Sequence, residues 1–143
     1  MPTRHLLAVD SSYWHYRQQG DSSAETAIIL LHTSPHNSEI FAPLFGKLAS
    51  LRPKMRIIAP DMPGYGGTDP LPGPPASLEA YVPHFRAFFR EMGLRQVIIY
   101  GTGTGAQLAI AYANAYPDKV ANVLIDNVFQ ASQPERQIIL ANV

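Results

Sequence analysis

Residues 100–107 have the sequence Tyr-Gly-Thr-Gly-Thr-Gly-Ala-Gln. They follow the apolar run 97–100 and lead into a second apolar run at 108–113, and this pattern predicts a strand, a turn and a helix. Glycine is favoured where backbones approach closely or where φ is positive, and here glycines occupy alternate positions of the turn. We therefore predict a sharp strand-to-helix turn with Gly103 at its centre.

The composition indicates one globular domain. The chain has 143 residues, of which 46% are apolar, as is typical of a folded protein. Lys plus Arg total 11 and Asp plus Glu total 11, so the charge indicates no nucleic-acid or membrane partner. The absence of cysteine excludes disulfides and thiol nucleophiles. No apolar run approaches the roughly 20 residues of a membrane span, and we expect a cytoplasmic protein with no metal and no cofactor.

Strand patterns alternate with helix patterns along the chain, which predicts a doubly wound α/β fold. Ligands of such sheets bind beyond the carboxyl ends of the strands, so we expect the loops 32–38, 60–70 and 101–105 to gather on one rim. The predicted strands are an edge hairpin at 6–10 and 13–18 and buried strands at 27–31, 55–59, 97–100 and 120–125. The predicted helices run from a Ser38 cap to Leu51, from a Ser77 cap to Met92 with a kink at Pro83, from the glycine turn to Tyr116, and onward from Pro134.

Three loop motifs carry a resemblance to a known family. Residues 32–38, His-Thr-Ser-Pro-His-Asn-Ser, resemble the oxyanion loop H-G-x-P-G-x-S, with Thr33 and His36 in place of the two glycines. Residues 61–69, Asp-Met-Pro-Gly-Tyr-Gly-Gly-Thr-Asp, resemble the loop D-x-P-G-x-G-x-S-D. Residues 101–105 resemble the nucleophile elbow G-x-S-x-G. In this order the motifs resemble the N-terminal half of an α/β hydrolase, in the style of its esterase, haloalkane dehalogenase, epoxide hydrolase and C–C hydrolase branches.

The resemblance implies an α/β-hydrolase-like mixed sheet with a parallel core and flanking helices, truncated before the C-terminal strands. Residues 1–143 would then form a partial α/β-hydrolase domain, with 129–143 as the start of a cap or lid segment. In the family, the general-base histidine and the acid come from later parts of the chain. Because an exposed sheet edge invites pairing, we expect either a homodimer or a complementary C-terminal segment.

The resemblance also implies a role for each loop residue. Gly103 holds the nucleophile position, which is vacant because glycine has no side chain that could attack a substrate. The backbone N–H groups of Thr104 and Ser34 are the expected oxyanion donors. The residues expected to bind the small-molecule substrate are Thr33, His36 and Thr102, and those expected to hold the loops are His32, Asp61, Asp69, Gly101 and Gly105.

The predicted function is that of a hydrolase of small ester-like substrates in the family, with this chain catalytically incompetent by itself. Two alternatives stay open. The pattern G-x-G-x-x-A at 101–106, followed by Asp126, also fits a dinucleotide-binding fingerprint. The pocket also suits a non-catalytic binder of small ligands, because the helix start near Thr104 attracts carboxylates. Within the enzyme hypothesis, a hydroxyl of Thr102 or Thr104 is a further candidate nucleophile and Asp126 a candidate displaced acid.

Overall fold

The computed structural model of the protein describes residues 1–75 and 77–127. The predicted helix after Pro134 and the expected cap segment 129–143 lie outside the described residues. The strands are β1 Thr3–Val9, β2 Ser12–Gly20, β3 Thr26–Leu31, β4 Arg56–Pro60, β5 Gln96–Thr102 and β6 Val120–Asp126, and the α-helices are α1 Ala42–Leu51, α2 Val82–Glu91 and α3 Thr104–Ala115. Short 3₁₀ turns occupy Ser38–Phe41, Leu78–Tyr81 and Pro117–Lys119.

The strands form one mixed sheet in the order β1-β2-β4-β3-β5-β6. β1 and β2 are the predicted antiparallel hairpin, and β2 also pairs antiparallel with β4, so only β1 of the hairpin is at the edge. β3 pairs in parallel with both β4 and β5, and β5 pairs in parallel with β6. The predicted fold class, a mixed sheet with a parallel core and flanking helices, is confirmed.

The central strands are apolar because helices cover both faces of the sheet. Every residue of β4 is buried. One core lies between the sheet and helices α2 and α3, and a smaller one lies beneath α1. Burying one phenylalanine or leucine side chain stabilises the fold by about 1.5–3 kcal/mol, so both cores stabilise the sheet from which the loops extend. The larger core includes Trp14, Ile29, Ile58, Phe85, Phe88, Phe89, Ile99, Leu108 and Tyr112, and the smaller one consists of Leu30, Phe41, Phe45, Ile57 and Ala59.

The face of the sheet that α1 covers also carries an apolar groove of about 370 Å³ beside that helix. Its lining includes Ile28, Leu48, Ile98 and Leu124, and Leu124 is 56% exposed. The homodimer or complementary segment expected at the sheet edge stays a prediction. Over residues 1–75 and 77–127, no helix has the length and apolar character that a bilayer crossing would require.

The predicted Ser38 cap is wrong. The cap is Asn37, whose side-chain oxygen accepts the N–H of Glu39 at 2.9 Å, and a 3₁₀ turn then leads into α1. Ser38 is buried instead, and its N–H donates to the Asp61 carboxylate. Asparagine and serine are both common caps. Asn37 is the cap here because Ser38 is buried against Asp61, in a loop distant in sequence.

The predicted kink at Pro83 is also wrong. The helix does not run from Ser77 to Met92, since the 3₁₀ turn Leu78–Tyr81 precedes α2. Pro83 therefore lies in the first turn of α2. At that position its missing N–H would have had no partner within the helix, so the proline is tolerated without a kink.

Candidate functional site

The candidate site lies where the strand order reverses. From β3 the chain continues through α1 to β4 on one side, and from β5 it continues through α3 to β6 on the other. Such switch points at the carboxyl ends of parallel strands form a crevice. The loop after β3 and the elbow, residues 101–105, meet there: the Ser34 N–H donates to Thr104 Oγ1 at 2.7 Å. The loop after β4 joins them through the Met62 N–H, which donates to His32 Nε2. The three loops gather as predicted.

The elbow has a backbone geometry that only glycine adopts without strain. Gly103 has φ 59° and ψ −123°, a combination that costs a non-glycine residue energy. The Gly103 carbonyl accepts the Ala106 N–H at 3.1 Å, which begins α3. A Cβ added at Gly101 would lie 2.3 Å from the carbonyl oxygen of Gly105, and one added at Gly105 would lie 2.2 Å from that of Leu31. The two outer glycines therefore permit close backbone packing, which supports the structural role expected of them.

The two expected oxyanion donors, the Ser34 and Thr104 N–H groups, are neighbours in the crevice. Each already has an acceptor within the chain. The Ser34 N–H donates to Thr104 Oγ1 at 2.7 Å, and the Thr104 N–H donates to Thr33 Oγ1 at 3.4 Å. Thr33, Ser34, Gly103 and Thr104 are all half-buried. These residues are thus partly accessible, and both N–H groups are satisfied by side-chain oxygens of neighbouring residues.

His32 joins the first two loops. Its side chain is fully buried; Nε2 accepts the Met62 N–H at 2.9 Å, and Nδ1 donates to the Thr33 carbonyl at 3.0 Å. The Tyr65 ring packs edge-on against it, with centroids 6.0 Å apart. Nε2 accepts a hydrogen bond and therefore carries no proton, so the ring is neutral, and burial lowers the pKa of His32 below its ordinary value. Both nitrogens are engaged, as the expected loop-holding role requires.

Asp61 holds the second loop against β2 and the first loop. One carboxylate oxygen accepts the Ser38 N–H at 2.7 Å, and the other accepts the Gly67 N–H at 2.9 Å and His15 Nδ1 at 2.7 Å. Burial alone would raise the pKa of Asp61, but these hydrogen bonds together lower it. Residue 15 lies 46 positions away on another strand, so no local sequence pattern indicated this partner.

The other loop acid, Asp69, also fixes its loop to β2. Its Oδ2 accepts the N–H of Tyr13 at 2.8 Å, and the Asp69 N–H donates to the Tyr13 carbonyl at 2.9 Å. The loop after β4 is therefore anchored at both ends by carboxylates. This arrangement supports the loop-holding role expected of Asp69.

Two of the expected substrate-binding residues make few contacts. His36 is exposed, and its backbone N–H donates to the Thr33 carbonyl at 2.9 Å. Thr102 ends β5 half-buried, and its Oγ1 accepts from Asn127 Nδ2 at 3.4 Å. Neither takes part in the contacts between Ser34 and Thr104, and their substrate-binding roles stay predictions.

The acid of the dinucleotide alternative lies beside the elbow. The Asp126 carbonyl accepts the Gly103 N–H at 3.1 Å, and its carboxylate accepts the Tyr100 hydroxyl at 3.2 Å. A pyrophosphate at the start of α3 would have to compete with Thr33 Oγ1 for the Thr104 N–H. The dinucleotide alternative stays a prediction. Among the described residues, no group of three His, Asp or Glu side chains is placed to hold a metal ion.

A comparison with known protein families finds a match over most of the chain. The model of the alpha/beta hydrolase fold matches residues 26–143, a segment that contains all three rim loops. The chain belongs to the alpha/beta hydrolase fold family. A curated relative in this family, 2-hydroxy-6-oxo-2,4-heptadienoate hydrolase of Pseudomonas putida, is 28% identical over 105 residues, which cover 73% of this chain and 38% of the relative.

Solved structures of the alpha/beta hydrolase fold superpose on the chain. A haloalkane dehalogenase from Bradyrhizobium elkani has a TM-score of 0.79 at 25% identity, covering 93% of this chain and 44% of that one. Epoxide hydrolase A from Mycobacterium thermoresistibile has a TM-score of 0.71 at 22% identity, covering 87% and 39%. These similarities confirm the fold. The chain spans less than half the length of each of these proteins.

Proposed function

We propose that this chain is an alpha/beta hydrolase-fold protein with a pocket for a small ester-like molecule, and that its elbow does not cleave such a molecule. The observation that carries the proposal is the elbow itself. Its centre is Gly103, with φ 59°, and a glycine there offers no side-chain atom that could attack a substrate. The three loops that would surround a substrate are nevertheless held in place around that centre.

The hydroxyl groups near the elbow are poor substitutes for a nucleophile. A hydroxyl needs a neighbouring base to be activated. The buried His32 cannot act as that base without breaking its bond from Met62, because Nε2 accepts there and Nδ1 already donates to Thr33. Thr104 Oγ1 is itself an acceptor for the Ser34 N–H. The alternative of Thr102 or Thr104 as nucleophile is therefore not part of the proposal.

The class of ligand is taken from the relatives. They are named as a hydrolase of 2-hydroxy-6-oxo-2,4-heptadienoate, a haloalkane dehalogenase and an epoxide hydrolase. What these names share is a small organic electrophile. A small molecule of this class is accordingly the ligand proposed for the pocket, either as a substrate of a longer assembly or as a ligand that is bound without turnover.

The test is stopped-flow cleavage of p-nitrophenyl butyrate by the purified chain. The proposal expects no burst of p-nitrophenol and a steady rate equal to that of Thr104→Val and of heat-denatured protein. A burst proportional to protein concentration would overturn it, and its loss in Thr104→Val but not in Thr102→Val would identify the hydroxyl responsible.

A parallel fluorescence titration with NADH tests the dinucleotide alternative. Saturable binding that Asp126→Asn weakens would support that alternative.

A further inference from the structure

The side chain of Thr33 fills the space that a side chain at position 103 would need. An ideal Cβ built on Gly103 lies 2.3 Å from Thr33 Oγ1 and 2.8 Å from Thr33 Cβ. Both distances are well inside van der Waals contact, which for carbon pairs is about 3.5–4.0 Å. While Thr33 keeps this position, no residue larger than glycine fits at 103. Thr33 is also one of the two residues that replace a glycine of the family's oxyanion-loop pattern.

The same hydroxyl occupies one of the two N–H groups expected to bind an oxyanion. The Thr104 N–H, at the start of α3, donates to Thr33 Oγ1 at 3.4 Å. The Ser34 N–H donates to Thr104 Oγ1 at 2.7 Å, and the two hydroxyls of Ser34 and Thr104 are 3.2 Å apart. A carboxylate or a tetrahedral oxyanion could accept from the Thr104 N–H only if Thr33 Oγ1 gave up that bond, and from the Ser34 N–H only if Thr104 Oγ1 did so.

We propose that the substitutions at 33 and 103 are one coupled exchange: a side chain absent from the elbow is replaced by the Thr33 side chain from the facing loop. Thr33 thereby keeps carboxylates and oxyanions away from the Thr104 N–H, so the part of a ligand that lies against the elbow is neutral. This deepens the proposed function and rests on it, since a pocket with a working nucleophile would need the oxyanion donors free. The carboxylate ligand of the binding-protein alternative would require Thr33 to move away.

A double-mutant cycle measures the coupling. We expect Gly103→Ala alone to lower the folding equilibrium constant by about tenfold or more because of the overlap. When Thr33→Gly is already present, the factor by which Gly103→Ala lowers that constant should be at least about tenfold smaller. Strain from the positive φ of residue 103 occurs in both backgrounds and cancels. Gly105→Ala is the matched control, because its Cβ meets the Leu31 carbonyl oxygen instead of Thr33 and Thr33→Gly should not relieve it. If Gly103→Ala lowers the folding equilibrium constant by the same factor, to within about twofold, with Thr33 and with Thr33→Gly, the two positions are not coupled and the proposal is overturned.

Anion binding tests the same proposal without a substitution at 103. Titrations of the wild type and Thr33→Gly with sodium acetate and with inorganic phosphate are followed by the amide NMR signals of residues 34 and 104. We expect no saturable shift of the Thr104 amide in the wild type and a saturable one in Thr33→Gly. Equal shifts in both proteins would overturn the proposal, and so would the absence of binding in the folded variant. Ester cleavage is measured in a separate experiment. Anion binding that contradicts the role of Thr33 would leave the proposed absence of turnover standing, whereas a burst of p-nitrophenol would contradict the proposed function even if positions 33 and 103 are coupled.

Discussion

His15 Nδ1 and Asp61 Oδ2 lie 2.7 Å apart, joining β2 to the loop after β4 beneath the candidate site. The same carboxylate accepts the Ser38 and Gly67 N–H groups. A buried acid with this many donors cannot be replaced by an amide, since the amide nitrogen would face a donor. Asp61 therefore links the first rim loop, the second rim loop and β2 through one carboxylate.

Asp61→Asn should destabilise the protein by about 2–4 kcal/mol, because its amide nitrogen must face either the buried Ser38 N–H or the Gly67 N–H and His15 Nδ1, so at least one donor loses its acceptor. Urea unfolding measures the change, with the exposed Asp118→Asn as a matched control expected to be near neutral. The lowered pKa of Asp61 means that its contribution is present above its ordinary pKa and is lost as pH falls through the folded-state value, so the difference between wild type and variant should shrink below about pH 4. A difference unchanged at low pH would contradict this account.

His32 should make the protein less stable in mild acid. Its folded-state pKa lies below its ordinary value, so the unfolded state takes up the proton first as pH falls below about 6.5. The stability contributed by the neutral ring is present above that pH and is lost as pH falls toward the folded-state pKa. Thermal unfolding from about pH 7 to about pH 5 should show a steeper fall in Tm for the wild type than for His32→Gln.

The control for His32 is the exposed His36 of the same loop. His36→Gln should keep the wild-type dependence of Tm on pH. If His36→Gln flattens that dependence and His32→Gln does not, the assignment of the titrating group is wrong.

The close backbone packing at the elbow can be tested with a pair of glycines. Gly105→Ala should destabilise by about 2–3 kcal/mol or more, because its Cβ meets the backbone of Leu31 rather than a flexible side chain. Gly46, inside α1, has open space around its added Cβ, so Gly46→Ala should stabilise by about 0.5–1 kcal/mol through helix propensity. Chemical unfolding of both variants decides the matter. Similar effects of the two substitutions would mean that the packing described at the elbow is incorrect.

Restoring a hydroxyl at the elbow should not restore hydrolysis. In Gly103→Ser the new side chain meets Thr33, so we expect destabilisation of about 1–3 kcal/mol. We also expect no cleavage of p-nitrophenyl esters, because both ring nitrogens of His32 are engaged and cannot activate the new hydroxyl. Gly73→Ser is the control, since nothing lies within 4 Å of an added Cβ there, and it should unfold as the wild type does. A rate enhancement in Gly103→Ser that phenylmethylsulfonyl fluoride abolishes would refute the prediction.

Most of the fold could be predicted from the sequence because it rests on local patterns. The apolar strands β3 to β6 and the glycine-rich turn are continuous in the chain, and parallel pairing then places the loops on one rim. The contacts inside the site could not be predicted in this way. Thr33 and Thr104 meet across 71 positions, and a threonine in a loop carries no indication of where its hydroxyl will point. The position of Pro83 was missed because a 3₁₀ turn and a helix have similar sequence patterns.

The absence of an attacking group at the elbow is tested most directly by the intact mass of the protein after exposure to a fluorophosphonate. Such reagents modify an activated hydroxyl and spare an unactivated one. We predict an unchanged mass, with a commercial serine esterase as the reactive control. A stoichiometric adduct that peptide mapping places at Thr33, or within residues 100–108, would contradict it.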